Sequence, residues 1–251
     1  MRKMKLKDKV SIVTGSGAGI GEATASLFAQ EGSKVVCNSV TDSAARVAQR
    51  INANGGSAVF VQGDVSEVRA AEAIVSTAVK KYGRLDILVN NAGVVIPGTV
   101  ESMSLEDWDR TMAVNVRSVY LLSRFAIPHL RKTKGTIINT ASVAGLKGLK
   151  DRAAYGASKG AIVSLTKAMA IDLIDDKIRV NCICPGTIDT PSLASRLSKF
   201  PDPAAAREQF IKRQPLGRFG TATEVAEGIL YLALSEFTTG TALSIDGGMT
   251  I

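Results

Sequence analysis

The segment RAAYGASKGA, residues 152–161, contains a phenol and an amine at a spacing that could move a proton. Lys159 follows Tyr155 by one helical turn, so on a helix the two side chains share one face. A free tyrosine has a pKa of about 10, which is too high for an efficient base near neutral pH. A neighbouring ammonium stabilises the phenolate and lowers that pKa. Such a pair alone is most often an ordinary surface feature, so the chemistry depends on what else the sequence supplies.

A glycine-rich turn, TGSGAGIG at residues 14–21, follows the first apolar run and precedes a helical pattern. Gly15 permits a tight turn, Gly19 lets the backbone approach a pyrophosphate, and Gly21 allows close helix–strand packing. The free N–H groups and partial positive charge of the helix N-terminus favour phosphates there. Ordinary strand-to-helix turns also use glycine, but this position in an alternating chain favours dinucleotide binding.

Short apolar runs alternate with helical stretches along the chain. The runs that predict strands are residues 10–14, 34–39, 57–65, 85–93, 135–142, 179–186 and 242–248. The predicted helices lie within residues 19–32, 44–54, 70–82, 105–130, 153–174 and 223–234. Several runs are almost continuously apolar, as expected for parallel strands that are covered on both faces. The pattern predicts a single-domain Rossmann-type α/β fold over residues 1–251, with a doubly wound, parallel, seven-stranded sheet and helices on both faces.

Residues 187–218 interrupt this alternation, because they contain several prolines and charges and have no strand signal. An irregular insertion of this length in a compact domain is usually a lid or a binding loop. It follows the carboxyl end of a predicted strand, where open α/β sheets bind ligands. We therefore predict that residues 187–218 form a substrate lid, and we call them the lid segment.

Composition indicates an ordinary globular protein, with 45% hydrophobic and 22% charged residues among 251. No apolar run approaches the roughly 20 residues that span a bilayer, and the basic N-terminus has no cleavage-site pattern. Cys37, Cys182 and Cys184 are odd in number and lack metal-ligand spacing. We therefore expect a cytoplasmic protein with reduced thiols, no metal site and no membrane partner.

The formal net charge of +8 can mark a protein that binds nucleic acid. Here the basic residues are scattered and are not interleaved with aromatic residues. A solvated basic surface and an anionic small-molecule ligand are the favoured interpretation, and no nucleic-acid partner is expected.

The glycine spacing is TGxxxGxG rather than GxGxxG, and several other motifs accompany it. They are NNAG at residues 90–93, a helical Asn115, Ser142, the pair Tyr155 and Lys159, and PG at residues 185–186. With these motifs the chain resembles the short-chain dehydrogenase/reductase family over essentially its whole length. The resemblance implies a cytoplasmic, NAD(P)(H)-dependent oxidoreductase that acts on an alcohol or a carbonyl and forms a homotetramer.

The resemblance implies a catalytic set of Asn115, Ser142, Tyr155 and Lys159. Because nicotinamide carries out hydride transfer, the protein has to position it and manage one proton. Tyr155 would take the hydroxyl proton in oxidation or donate one to the carbonyl in reduction, while Ser142 hydrogen-bonds the same oxygen. Lys159 would lower the pKa of Tyr155 and bind the ribose. Asn115 would anchor a water that relays protons from Lys159.

The same resemblance implies the residues that bind the cofactor. Asp64 and Val65 are expected to contact the adenine, Asn91 to border the cofactor, and Thr190 to hydrogen-bond the nicotinamide carboxamide. The predicted set is Gly15, Ser16, Gly19, Ile20, Gly21, Asn38, Ser39, Asp64, Val65, Asn91, Ala92, Gly93, Tyr155, Lys159, Pro185, Gly186, Ile188 and Thr190.

The end of the second predicted strand bears on the choice between NAD and NADP. An acidic residue there binds the ribose hydroxyls and favours NAD, but Ser39 occupies that position. Without the carboxylate a 2′-phosphate is not repelled, and Asn38, Ser39 and Ser16 could hydrogen-bond it. Against NADP, Ala18 and Val40 stand where many NADP-using relatives carry Arg or Lys, and Asp42 could replace the missing acid if the loop bends back. The sequence leans slightly toward NADP(H), with NAD(H) as the alternative.

The segments CPGTIDTPSL and FIKRQPLGRFG resemble the branch of the family that contains cytosolic type 2 3-hydroxybutyrate dehydrogenases and deoxy-sugar-acid dehydrogenases. In that branch, arginines that bind the substrate carboxylate lie just before the catalytic tyrosine and in the lid. Arg152, Arg196 and Arg213 match them, and with Ser142 and Tyr155 they form the predicted substrate site for a small hydroxy or oxo acid. The alternative is that the lid arginines merely face solvent. The branch also often uses NAD, whereas this chain lacks the acidic residue of the second strand, and this difference weakens the comparison.

Two other functions stay open. One is reduction of a 3-oxoacyl thioester, in which the basic surface would meet an acidic acyl carrier protein. The other is a non-catalytic protein that binds a dinucleotide as a sensor, although the intact catalytic set disfavours it.

Overall fold

The computed structural model describes residues 4–251, in which nine strands form two sheets. The strands are β1 (Val10–Val13), β2 (Lys34–Ser39), β3 (Ser57–Gln62), β4 (Ile87–Asn90), β5 (Thr136–Thr140), β6 (Arg179–Pro185), β7 (Ile188–Asp189), β8 (Gly220–Thr221) and β9 (Ala242–Ile245). Seven of them form one sheet in the order β3-β2-β1-β4-β5-β6-β9, and every neighbouring pair is parallel. β7 and β8 form a separate parallel pair. The predicted seven-stranded parallel sheet is confirmed.

Helices cover both faces of this sheet. They are α1 (Gly19–Gln30), α2 (Ser43–Ala53), α3 (Val68–Tyr82), α4 (Leu105–Met112), α5 (Ser118–Thr133), α6 (Ala153–Asp172), α7 (Pro191–Leu197), α8 (Pro203–Ile211) and α9 (Ala222–Leu234). In β1, Val13 belongs to the core under α1, α2 and α9, whereas Ile12 belongs to the core under α3, α5 and α6. Because adjacent residues of a strand point to opposite faces, a strand buried on both sides has an uninterrupted apolar sequence.

The helix predicted at residues 105–130 is corrected to two helices. α4 and α5 are separated by the π-helical turn Ala113–Arg117. Such a turn accommodates one extra residue and is found frequently at functional sites. Here it contains Asn115, which is buried.

The expectation that the lid segment lacks regular structure is wrong, because it contains β7, α7 and α8. Thr190 and Asp202 cap α7 and α8 by accepting hydrogen bonds from backbone N–H groups, and Pro191 and Pro203 begin the two helices. Proline is favoured at the first helical position, where its missing N–H would have no partner. These prolines therefore start helices rather than interrupt them.

The helices of the lid segment have a small hydrophobic core of their own. It consists of Leu193, Leu197, Ala206, Phe210 and Phe219, and it is separate from the cores under the sheet. The segment is thus an ordered structure placed directly after the carboxyl end of β6.

Within residues 4–251, no helix has both the length and the hydropathy needed to cross a membrane. Cys37, Cys182 and Cys184 are buried free thiols.

Candidate active site

A cleft of about 260 Å³ opens at the carboxyl ends of β1, β4, β5 and β6, where parallel sheets bind ligands. The predicted site residues that line it are Gly15, Gly19, Ile20, Gly21, Asn91, Ala92, Gly93, Ser142, Tyr155, Lys159, Pro185, Gly186, Ile188, Thr190 and Arg196. The fold thus brings most of the predicted catalytic and cofactor residues together in one place.

Close backbone contacts explain two of the glycines in the turn between β1 and α1. Gly15 has a φ of 62°, and a Cβ there would lie 2.9 Å from the Cα of Ala92. A Cβ on Gly21 would lie 2.2 Å from the Gly15 carbonyl oxygen and 2.5 Å from Asn91 Nδ2. The turn itself and Asn91 therefore leave no room for a side chain at Gly21. Any larger residue would distort this turn, which we call the cradle because its backbone N–H groups suit a dinucleotide pyrophosphate.

Asn91 and Thr14 fasten the turn to the end of β4. Asn91 Nδ2 donates to the carbonyl oxygen of Thr14 at 2.9 Å and to that of Gly15 at 3.3 Å. Thr14 Oγ1 accepts from the N–H groups of Asn91 at 3.0 Å and Ala92 at 3.1 Å. The side chain of Asn91 thus shapes the cradle while its residue lines the cleft.

Tyr155, on α6, reaches the cleft beside Ser142, which follows the end of β5. Burial raises the pKa of Tyr155 above its ordinary value, and this is opposed by a hydrogen bond from Ser142 and by the charges of Arg196 and Arg152. The expected lowering of this pKa by Lys159 is therefore not found for the protein by itself. Burial outweighs the positive charges because a phenolate is strongly disfavoured away from water.

Lys159 is buried, with 4% of its surface exposed, and its Nζ donates to the Thr140 carbonyl oxygen at 2.6 Å. Nζ lies 5.7 Å from the centroid of the Tyr155 ring. Burial lowers the pKa of Lys159 to about 8. The close approach of this helix is possible because a Cβ on Gly145 would lie 2.6 Å from the carbonyl group of Lys159. The predicted shared face of Tyr155 and Lys159 is thus turned to the cleft.

Asn115 holds the loop after β4 against α6. Its Oδ1 accepts from Val94 N–H at 2.8 Å, and its Nδ2 donates to the Val94 carbonyl and to Ser158 Oγ, both at 3.0 Å. A Cβ on Gly93 would lie 3.2 Å from Asn115 Oδ1 and 3.6 Å from Lys159 Nζ. Asn115 and Lys159 therefore flank the same glycine, and the water relay between them stays a prediction.

The three predicted substrate arginines form a cluster of positive charge, in which Arg196 lines the cleft and the charges of Arg196 and Arg152 act on Tyr155. Burial lowers the pKa of all three, and the charge of Arg152 further lowers those of Arg196 and Arg213. None of them forms an ion pair with a carboxylate among residues 4–251. Arg213 stacks on Phe210, with 3.7 Å between its Cζ and the ring centroid.

Two predicted cofactor side chains are engaged elsewhere. Ser16 has no exposed surface, and its Oγ accepts from Asn38 N–H at 2.9 Å and donates to the Asn38 carbonyl at 3.3 Å. Asn38 Nδ2 donates to the carbonyl oxygens of Val61 and Gly63, both at 3.1 Å. These side chains thus join the ends of β1, β2 and β3, and their contact with a 2′-phosphate stays a prediction.

Ser39 also serves the local structure. Its Oγ donates to the Thr41 carbonyl at 2.7 Å and accepts from Ala44 N–H at 3.1 Å, so it supports the start of α2. Its predicted hydrogen bond to a 2′-phosphate would break one of these two contacts.

Asp64 and Val65, the predicted adenine contacts, lie outside the lining of the cleft. Asp64 accepts from Ser66 N–H at 2.9 Å and from Ser66 Oγ at 2.7 Å, and it pairs with Arg110 at 2.9 Å. Val65 is buried with 3% of its surface exposed. Their contact with adenine stays a prediction.

Some residues at the site were not predicted from the sequence. Thr140 holds Lys159 through a backbone carbonyl, which any residue type would supply. Ser158 supports Asn115 through its hydroxyl, and its place directly before Lys159 was the available clue. The cleft is also lined by Ala18, Val95, Thr140, Ala141, Pro191 and Ser192.

Comparison with known proteins agrees with this geometry. A family model described as enoyl-(acyl carrier protein) reductase matches residues 15–250. "Dehydrogenase/reductase SDR family member 6" from Rattus norvegicus is 40% identical over 98% of this chain and 99% of that protein. "Meso-2,3-butanediol dehydrogenase" from Serratia marcescens is 40% identical over 98% and 96% of the two chains. "3-oxoacyl-(acyl-carrier-protein) reductase FabG" from Thermotoga maritima is 38% identical over 99% and 100%.

Proposed function

This chain belongs to the short-chain dehydrogenase/reductase family and is an NAD(P)-dependent oxidoreductase of alcohols and ketones, and we propose that its substrate is a small hydroxy or oxo acid. Such a substrate carries a carboxylate near the carbon atom that gains or loses the hydride. It is supported by the arginine cluster, because the reacting oxygen and the carboxylate would then have separate partners.

The cleft suits a nicotinamide dinucleotide, because the glycine turn and the N-terminus of α1 line one end of it and Tyr155 and Lys159 line the other. When bound, the nicotinamide supplies or accepts the hydride. Gly19 and the N-terminus of α1 would hold the pyrophosphate, and Tyr155 and Lys159 would hold the ribose. Thr190 would bind the carboxamide with its hydroxyl, which accepts from Leu193 N–H at 3.3 Å and still has a proton to donate.

Tyr155 would move the proton and Ser142 would hold the reacting oxygen. The raised pKa of Tyr155 keeps its phenol protonated near neutrality, which is the form that donates to a ketone oxygen. In alcohol oxidation the same group has to be a phenolate, and the charges of Arg196 and Arg152 would favour that form. Asn115 would keep the loop after β4 in place around Lys159.

The observation that carries the substrate proposal is that Arg152, Arg196 and Arg213 form no ion pair with a carboxylate among residues 4–251, while the first two act on Tyr155. Guanidinium groups bind carboxylates in a planar, bidentate geometry. Arg152 and Arg196 both act on the pKa of Tyr155, so they lie close to the atom that handles the substrate proton. A carboxylate bound there would relieve the mutual repulsion of Arg152, Arg196 and Arg213.

A pair of ketones that differ only in charge tests this proposal. We expect the purified protein to reduce 3-oxobutyrate with kcat/KM at least about tenfold above that for its methyl ester, because the ester lacks the charge-assisted hydrogen bonds. Arg196→Met should remove most of this preference. Arg207→Met, which removes an arginine of the lid segment that pairs with Asp189 at 3.4 Å, is the matched control. Equal reduction of acid and ester by the unaltered protein would contradict the proposal.

A 3-oxoacyl thioester is the second candidate. The net charge of +8 suits an acidic carrier protein, and the relative from Thermotoga maritima is a reductase of such a substrate by its name. A carrier-linked thioester reduced at least about tenfold better than 3-oxobutyrate would favour it. A dinucleotide-sensing role without catalysis would require no turnover with any of these ketones.

For the cofactor, NADP(H) is the proposed form and NAD(H) the alternative. β2 ends without a carboxylate, and a Cβ on Gly17 would lie 2.0 Å from Ser43 Oγ. The start of α2, with the hydroxyls of Thr41 and Ser43, therefore adjoins the glycine turn and suits a 2′-phosphate. Asp42, exposed and 3.7 Å from Arg46, is the group that would favour NAD(H) instead.

A homotetramer is the proposed assembly. Exposed apolar residues on α4, α5 and α9 would be covered in it, namely Leu105, Trp108, Tyr120, Tyr231 and Leu234. Light scattering after size-exclusion chromatography measures the mass directly, and a monomer at micromolar concentration would contradict the proposal.

A further inference from the structure

The turn that follows β9, residues 246–250, lies between two segments that carry substrate arginines. Asp246 holds this turn together. Its Oδ1 accepts from Gly248 N–H at 3.0 Å, and its Oδ2 accepts from the N–H and the hydroxyl of Thr250, at 2.9 and 2.5 Å. We call residues 246–250 the C-terminal turn.

On one side the C-terminal turn contacts the end of the lid segment. The carbonyl oxygen of Gly247 accepts from Leu216 N–H at 3.1 Å. A Cβ on Gly247 would lie 3.3 Å from Gln214 Cβ, and one on Gly248 would lie 3.2 Å from Pro215 Cγ. Residues 214–216 follow Arg213 directly, so the backbone next to this arginine is held by the C-terminal turn.

On the other side the C-terminal turn contacts the loop between Ser142 and Arg152. Lys147, midway along that loop, donates from Nζ to the carbonyl oxygen of Met249 at 2.6 Å. Met249 is buried, with 4% of its surface exposed. This hydrogen bond therefore joins the loop between Ser142 and Arg152 to the buried Met249 of the C-terminal turn.

The C-terminal turn is itself fixed to the sheet and to the cleft. Gly186 N–H donates to the Ile245 carbonyl at 3.0 Å. A Cβ on Gly186, which lines the cleft, would lie 2.9 Å from the Cα of Asp246. The turn is thus packed against the strand ends that form the cofactor side of the site.

We propose that the C-terminal turn positions Arg152 and Arg213 for binding the substrate carboxylate. It joins the loop that precedes Arg152 to the residues that follow Arg213, through contacts of Lys147 with Met249 and of Leu216 with Gly247. The proposal rests on the proposed acid-binding function. Arg152 and Arg213 carry the same charge and form no ion pair with a carboxylate among residues 4–251, so other contacts have to hold their backbones in place. Lys147 acts through Met249 and does not touch the substrate.

Lys147→Met removes the ammonium and keeps most of the length of the side chain. We expect KM for 3-oxobutyrate to rise about five- to tenfold while kcat changes by less than about twofold, since a displaced arginine weakens ground-state binding of the carboxylate. KM for the methyl ester should not change. Lys147→Arg, which retains a donor, should restore most of the affinity. Lys150→Met is the matched control, because it removes one positive charge from an exposed position of the same loop.

Two results of these assays would overturn the proposal. An equal rise in KM in Lys147→Met and Lys150→Met would mean that only the charge of the loop matters. An equal loss of kcat with the acid and the ester would mean general damage to the site. Thr250→Val, which removes one of the bonds to Asp246 and touches neither arginine segment, should reproduce the rise in KM for the acid alone, and unchanged KM in that variant would also count against the proposal.

Hydrogen exchange separates failure of this proposal from failure of the proposed function. If the unaltered protein does not distinguish acid from ester, the substrate proposal fails while the positioning role is still measured by exchange. The amides of Gln214, Leu216 and Gly217 should then exchange faster in Lys147→Met than in Lys150→Met, because the lid end has lost its connection to the loop between Ser142 and Arg152. Equal exchange in the two variants would overturn the role of the C-terminal turn.

Discussion

The ammonium of Lys159 lies 5.7 Å from the centre of the Tyr155 ring and has its pKa lowered to about 8 by burial. The burial that raises the pKa of Tyr155 thus lowers that of its neighbour, and both shifts favour uncharged groups. The pair is held in this environment by the fold, since Gly145 brings the turn after Ser142 against α6 at Lys159. A site of this kind should reduce the stability of the protein that contains it.

Lys159→Met should therefore stabilise the protein at neutral pH. Below pH 8 the folded state carries a buried ammonium, so the full penalty is present. Between the folded pKa of about 8 and the unfolded value of 10.5 the folded protein loses the proton first, and stability rises with pH. We expect Lys159→Met to raise the free energy of unfolding by about 1 to 3 kcal/mol at pH 7, allowing for the lost bond to Thr140. Urea unfolding at pH 7 and pH 10 measures this gain, which should shrink at pH 10; a gain that is constant with pH would contradict the assignment.

Gly21→Ala should damage the cradle for the dinucleotide. The new methyl group would meet the Gly15 carbonyl oxygen, a backbone atom that is unable to move without opening the turn. We expect the free energy of unfolding to fall by about 1 to 3 kcal/mol and dinucleotide affinity to fall by at least about tenfold. Gly148→Ala is the control, because nothing lies within 4 Å of its added Cβ. Urea unfolding and a fluorescence titration with the dinucleotide give the two values, and equal behaviour of both variants would refute the close-packing argument.

Ser39→Asp should change the choice of cofactor. The carboxylate would still accept from Ala44 N–H, and it would add the charge that binds ribose hydroxyls and repels a 2′-phosphate. We expect kcat/KM for NADPH to fall by about 30- to 100-fold relative to that for NADH, from like-charge repulsion. Ser39→Ala, which loses the same hydroxyl and gains no charge, should change the ratio by less than about threefold. An unaltered ratio in Ser39→Asp would place the 2′ position away from the end of β2.

The elements and the main site residues could be predicted because each depends on local pattern. Ile12 and Val13 face opposite cores, so β1 is apolar except for Ser11 and is recognisable as a buried parallel strand. Gly15 and Gly21 are required by backbone contacts within a few residues of β1 or β4. Tyr155 and Lys159 share a face for reasons of helical geometry alone.

Other features depend on tertiary contacts that no local pattern contains. Asn115 forms a π-helical turn because the Val94 backbone and Ser158 meet it there. Ser16 and Asn38 have the composition of phosphate ligands, but neighbouring strands use their polar atoms. Prolines typically interrupt regular structure, but capping by Thr190 and Asp202 makes Pro191 and Pro203 the first residues of α7 and α8.

The central claim is that Tyr155 transfers the substrate proton, and Tyr155→Phe tests it most directly. Phenylalanine keeps the ring and removes only the hydroxyl, so dinucleotide affinity should fall by less than about tenfold through the loss of one hydrogen bond to the ribose. Single-turnover reduction of the best ketone substrate should slow by at least about 10³-fold, since a positioned general acid contributes about that much. A Tyr155→Phe variant that keeps more than about a tenth of the unaltered rate, with normal cofactor affinity, would contradict the account.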